Sequence, residues 1–246
     1  MTADTGRPSR REQRREQTVA EIKTLAMEQI AAGGPDAVSL KGIARTMAMS
    51  PAAIYRYFEN RDALLADVVI DAYDSLADAL EAAGHRPGTP EQRFTAVAQA
   101  SRAWALAQPN AYRLIFQTTS GSGQDLAPDR TIPAASRSMG VLLGALADLA
   151  SSGTSTRSYG DGEPDTSGLT DQLRAWAERD AMPLRVLALG LACWTGLHGV
   201  ISLELGHHLA SVGIDPALGY DAEIAALIRQ AEHLRSGELQ LVDDGA

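Results

Sequence analysis

Residues 39–65 read SLKGIARTMAMSPAAIYRYFENRDALL. Leu40, Ile43, Ala44 and Met47 recur at i, i+3, i+4 and i+7, which makes one apolar face of a short helix with Ser39 as its cap. Ser50 followed by Pro51 is an N-cap and then a proline at the first helical position, where the missing N–H costs nothing. Ile54 and Phe58 would dock this second helix inward, and Asn60 can cap the next. Two short helices joined by a turn of about four residues fit a helix-turn-helix, whose second helix enters a DNA major groove. An ordinary helical hairpin would leave the outward clustering of Arg56, Tyr57 and Arg61 unexplained.

In the order and spacing of Ile43-Ala44, Ser50, Ile54-Tyr55, Tyr57-Phe58, Arg61 and Leu64-Leu65, the stretch resembles the tetracycline-repressor (TetR) family of bacterial transcription regulators. One position departs from that pattern. The family usually carries glycine where Ala48 stands, and an alanine in a left-handed turn costs roughly 1 kcal/mol. Further on, Trp194 and Leu197-His198-Gly199, with Tyr112-Arg113-Leu114 upstream, look like the C-terminal domain type of this family named for its W-H-G residues. The resemblance implies an all-α chain with an N-terminal three-helix DNA-binding domain and a C-terminal helical ligand-binding and dimerisation domain. It also implies a homodimer that sets two recognition helices in successive major grooves of a near-palindromic operator, and a small-molecule effector that releases the DNA.

Composition agrees with an all-α class: alanine, leucine and arginine abound, and aromatics make up 5% of the 246 residues. The single cysteine, Cys193, excludes a disulfide framework and reads as a buried thiol. The arginine-rich N-terminus is unlike a secretory signal, and no apolar run is read as a membrane span, so a soluble cytoplasmic protein without membrane contact is expected. A net charge of −9 looks wrong for a DNA binder until the chain is divided. Residues 1–61 hold ten Lys and Arg against seven Asp and Glu, net +3; the remainder holds twelve against twenty-four, net −12. The basic end is the electrostatic footprint of nucleic-acid binding.

Along the chain, residues 1–15 read as a flexible basic arm, 16–66 as the DNA-binding domain and 67–240 as the helical ligand-binding and dimerisation domain. Helices are expected from about residue 10 to Ala32, from Arg61 to about Ala83, over 90–108, 110–118, 133–150 and 169–179, from Leu184 to Leu209 and over 215–234. Residues 151–168 are almost without apolar content and read as a loop. The last two helices are expected to pair with their copies, with Leu227 and Ile228 at the contact.

The DNA contacts divide by chemistry. Arg56 and Lys41, at the groove-facing ends of the two motif helices, can meet guanine O6/N7 or phosphate. The resemblance places Tyr55, Tyr57 and Arg61 on phosphates, which position without specifying sequence. Ser39 and Ser50 cap the two helices at the same surface. Pro51, Ala52 and Ala53 offer almost no hydrogen bonding, so base reading there rests on apolar contact. Arg10 and Arg11, with Arg7, Arg14 and Arg15, are assigned to an arm that reaches the adjacent minor groove.

Trp104, Tyr112, Phe116, Trp194 and His198 are the candidate lining of a pocket for an apolar effector; a core histidine and core aromatics are the plainer alternative. No nucleophile elbow, phosphate loop, cofactor motif or metal-ligand set is present in the sequence, so no enzyme activity, cofactor or metal is expected. Glu204-x-x-His207 is half of a di-iron carboxylate motif without its other half. Cys193 and His198 lie about 140° apart around a helix and do not pair. The competing reading from another class is a helical small-molecule-binding or scaffold protein without repressor activity.

Overall fold

The computed structural model describes residues 9–117, 127–150, 167–180 and 182–236, and every regular element among them is helical. In chain order these are α1 (Arg10–Gly33), α2 (Leu40–Thr46), α3 (Pro51–Ile54), α4 (Arg61–Gly84), α5 (Pro90–Ala107), α6 (Pro109–Phe116), α7 (Pro128–Ala150), α8 (Ser167–Asp180), α9 (Leu184–Leu205), α10 (His208–Ser211) and α11 (Pro216–Ser236), with one 3-10 turn over Pro35–Ala37.

Local chemistry sets the boundaries. Ser39, Ser50 and Asn60 each accept from a backbone N–H three residues on, at 3.1, 3.2 and 2.8 Å, as their cap positions require. Gly34, at φ 76°, ends α1 where an L-residue would be strained. Pro109 opens α6 at N1, and Pro133 is carried inside α7, which starts five residues earlier than periodicity alone suggests. The 151–168 loop falls outside the described residues up to 166. The expected helix to Leu209 stops at Leu205, because His207 turns into the left-handed region at φ 59° and α10 starts anew.

Two compact units emerge. The first comprises Met1–Ser75 with Gln108–Ser136, the second Leu76–Ala107 with Arg137–Ala246. This division cuts α4 between Ser75 and Leu76 and places α6 with the first 75 residues. α6 packs on α1, Tyr73 donates to the Ile115 carbonyl at 3.4 Å, and Gln108 donates to Ser75 at 3.0 Å. Lys23 bonds Asp71 at 2.7 Å and lies 3.7 Å from Asp67, tying α1 to α4. The core of this unit holds Ile22, Ala26, Ile43, Ile54, Phe58, Leu64 and Tyr112.

The second unit is built around α9, which packs on α11, α5 and α8. Leu143, Leu173 and Leu187 join α7, α8 and α9 in one cluster. Tyr220 is buried and donates its hydroxyl to the Ala98 carbonyl at 2.7 Å. The half-buried pair Arg102–Glu204, with Nε to Oε2 at 2.7 Å, links α5 to the end of α9. By length and composition, α9 with its 22 residues is apolar enough to cross a membrane, contrary to the sequence expectation. Its interleaved glycines and alanines hide that from a search for leucine and valine runs. Val186, Leu187, Leu189, Cys193, Leu197 and Ile201 bury one face of it against the unit, the arrangement of a core helix.

Candidate nucleic-acid interface

Leu40, Ile43 and Ala44 of α2 and Ile54 of α3 are buried, which leaves the opposite faces of both helices outward. The turn between them runs through Ala48 at φ 52°, so the position carries the left-handed geometry for which glycine is the common choice. Met49 N–H closes the turn by donating to the Ala44 carbonyl at 2.8 Å. From α1, Gln29 accepts from Ser39 N–H at 2.7 Å, and Gly42 leaves room for that amide.

On the outward side lie Ser39, Lys41, Ser50, Pro51, Ala52, Tyr55 and Arg56, all exposed, with Ala53 and Tyr57 half-buried. Tyr55 is 45% exposed, a large aromatic ring left in solvent next to Arg56. Arg45, which the sequence reading passed over, is exposed one turn after Lys41 on α2. Its i+4 spacing from Lys41 was the available signal.

Arg61, expected on a phosphate, makes hydrogen bonds within the protein. Its Nη2 donates to the Pro35 carbonyl at 2.7 Å and to Asp36 at 2.9 Å, and Nη1 reaches Asp62 at 3.3 Å. The guanidinium fastens the start of α4 to the α1–α2 connection through its bonds to Pro35 and Asp36.

The basic arm also differs. Ser9 caps α1, accepting from Glu12 N–H at 3.2 Å while Glu12 accepts from Ser9 N–H at 2.7 Å, a reciprocal capping box. The hydrogen bond from Ser9 N–H holds the Glu12 carboxyl below the usual range. Arg10, Arg11, Arg14 and Arg15 are therefore exposed side chains on the first two turns of a helix, not members of a flexible arm. Arg7 lies outside the described residues.

The five candidate effector contacts are divided between the two compact units. Tyr112 and Phe116 sit in the first unit, with ring centroids 5.1 Å apart, and Phe116 meets Tyr73 edge-on at 6.1 Å. Trp104, Trp194 and His198 belong to the second unit. There Trp104 is buried, Trp194 is 37% exposed, and the Trp194 and His198 rings meet edge-on at 6.1 Å. Burial pushes the His198 pKa down to about 4, so its ring is neutral at physiological pH. Burial likewise pushes the Cys193 thiol up to about 12, which leaves it inert.

The second unit has its own cleft of about 460 Å³, bounded by the end of α4, the start of α5 and the second half of α7. Val97, Val141, Gly140 and Gly144 form its apolar lining. Arg93 paired with Asp148 at 3.1 Å and Arg137 paired with Glu81 at 2.8 Å stand at its rim.

Comparison with known proteins agrees with this geometry. The family profile "Bacterial regulatory proteins, tetR family" matches residues 22–68, and "Tetracyclin repressor-like, C-terminal domain" matches residues 94–227. HTH-type transcriptional regulator Rv1816 of Mycobacterium tuberculosis is 32% identical over 237 residues, covering 93% of this chain and 99% of that protein. The crystal structure of regulatory protein SCO4313 is 38% identical, covers 89% of this chain and 98% of its own, and superposes with a TM-score of 0.71. FadR from Bacillus subtilis, solved in complex with stearoyl-CoA, shares the fold at 15% identity and a TM-score of 0.56, covering 89% of this chain and 98% of its own. With matching profiles over both the helix-turn-helix and most of the C-terminal helices, the chain belongs to the tetR family of bacterial regulatory proteins.

Proposed function

We propose that this DNA-binding regulator is a homodimeric, cytoplasmic repressor that leaves its operator when a small molecule binds its C-terminal unit. The observation that carries the reading is the capped α2–turn–α3 element, which buries its apolar faces and leaves Lys41, Arg45, Tyr55 and Arg56 outward together. Lys41, Arg45 and Arg56 have the donors to meet guanine edges or phosphates. Tyr55 and Tyr57 suit phosphate contact. Pro51, Ala52 and Ala53 present only methyl and methylene surface, so thymine methyls are what they can favour.

The effector site is less sharply drawn. The cleft beside α4, α5 and α7 has the volume of a small-molecule site and a mostly apolar lining. That supports an apolar or weakly polar effector, and the stearoyl-CoA complex of FadR supports ligand binding by this architecture. Trp194 and His198 remain candidates as a second polar-aromatic edge in the same unit. Any effector acts only through its different affinity for the DNA-bound and free states.

Footprinting on duplexes selected from random sequence tests the reading. A protected near-palindrome with two half-sites about one helical turn apart, or a multiple of that, is the expected result. Binding to duplex DNA without any salt dependence would overturn it and favour a scaffold role.

A further inference from the structure

We infer that the first two turns of α1 are a preformed part of the DNA-binding surface, and that Arg15 is a positioning residue for Tyr57. The inference rests on the reading that this module binds duplex DNA.

The stripe of α1 that faces the core reads Ile30, Ala26, Ile22 and Val19 from its C-terminal end. Ile30, Ala26 and Ile22 are buried and Val19 is half-buried. The same stripe continues at i−4 steps to Arg15 and Arg11, both exposed. The face is apolar while it covers the helix-turn-helix core and becomes basic where it runs past that core. There the Arg15 guanidinium lies over the Tyr57 ring, 5.4 Å from its centroid. Tyr57 lies three residues beyond the end of α3, its N–H bonded to the Ile54 carbonyl at 2.9 Å. Arg15 thus reaches from the first helix to the turn that follows the recognition helix. Arg11 stands one turn further out, and Arg10 and Arg14 flank it.

Two features hold this arrangement before any DNA arrives. The Ser9–Glu12 capping box fixes the first turn, and the cation–π contact fixes one side of the Tyr57 ring. A flexible arm would lose backbone freedom in binding, whereas the backbone of these arginines is already ordered in α1. Arg15 limits where the Tyr57 hydroxyl can point, and Arg11 extends the line of positive charge along the backbone that Tyr57 touches.

The test uses the full chain and a mixed-sequence DNA duplex, with affinity measured across a salt series. Ser9→Ala leaves every charge in place and removes only the cap. It should weaken binding about three- to fivefold with the salt slope unchanged, the thermal melt of the core staying close to wild type. Arg15→Gln and Tyr57→Ala should each weaken binding, and the double variant should fall short of the product of the two by about threefold or more. Arg11→Gln should reduce the salt slope by about one. Wild-type affinity in Ser9→Ala overturns the preformed helix. Strict multiplicativity of Arg15→Gln and Tyr57→Ala overturns the positioning role. If the wild-type chain itself shows no salt-dependent binding, the DNA reading fails first, and that outcome is distinct from both.

Discussion

Ala48 carries a methyl group at φ 52°, where the backbone of an L-residue is strained. The turn holds because Met49 and Ala48 N–H groups bond back to Ala44 and Arg45, and because Ile43 and Ile54 are buried on either side of it. Replacing Ala48 by glycine removes the strain at some cost in unfolded-chain entropy, for a net stabilisation of about 0.5–1 kcal/mol. Ala48→Gly should raise the melting temperature by about 1–4 °C, and calorimetry checks it. An unchanged or lower melting temperature would mean that the turn has relaxed around the alanine. Arg61 makes the opposite point about reading residues in isolation. The resemblance places it among phosphate contacts, yet its Nη2 donates to Pro35 and Asp36. Arg61→Ala should cost about 1–2 kcal/mol of stability through the lost hydrogen bonds. The salt slope of DNA binding should stay where it was. A slope shallower by one, with unchanged stability, would return Arg61 to the phosphate.

At the scale of the element, the caps were readable from the sequence because they are local. Ser39, Ser50 and Asn60 need only a backbone N–H three residues away, so residue type and spacing suffice. The capping box at Ser9 and Glu12 obeys the same logic and begins α1 at Arg10, where the sequence places the helix start, inside the stretch also read as an arm. The candidate effector residues illustrate a different limit. Aromatic residues at helical spacing say that a face is buried, not which neighbour buries it, and the fold sends Tyr112 and Phe116 to one unit and Trp104 and Trp194 to the other. The α9 glycines show the same limit. A side chain at Gly190 would strike Leu143 and one at Gly196 would strike Glu223, while nothing stands near Gly199. Sequence marks all three as smooth; only packing separates the two that admit a neighbour from the one that stays open. His198, one turn beyond Trp194 on the same helix, gives this element a pH dependence. Its folded pKa of about 4 lies below the ordinary 6.5, so the unfolded chain binds a proton first. The stability it contributes is full above pH 6.5 and is lost as pH falls from there towards 4. Thermal melts over that range should show a downward slope with acid that His198→Gln flattens, and an equal slope in both proteins would assign the effect to other groups.

For the whole molecule, the acidic balance of residues 62–246 against the basic first 61 keeps the DNA-attracting charge at one end of the chain. Specific recognition of a palindrome needs two such ends, and in the proposed homodimer the face that joins two copies has to be apolar without being part of the protomer core. Leu227 fails that condition: it is 2% exposed within the protomer, so a charge there would disrupt the fold before it touched any dimer. The outward face of α9 meets it. Ala192, Thr195, Gly199 and Leu203 recur at three- and four-residue steps opposite the buried arc, and Leu218, Ala222 and Ala225 do the same on α11, which packs beside α9. Gly199 is the informative position, because open space beyond it means the protomer has no need of a glycine there. A glycine in mid-helix costs roughly 1 kcal/mol relative to alanine, and close approach of a second helix is what would repay it. Gly199→Arg should therefore leave helical content intact, give monomers by light scattering, and weaken operator binding by about 100-fold or more through loss of the second half-site. A Gly199→Arg protein that remains dimeric with wild-type affinity would move the interface off α9.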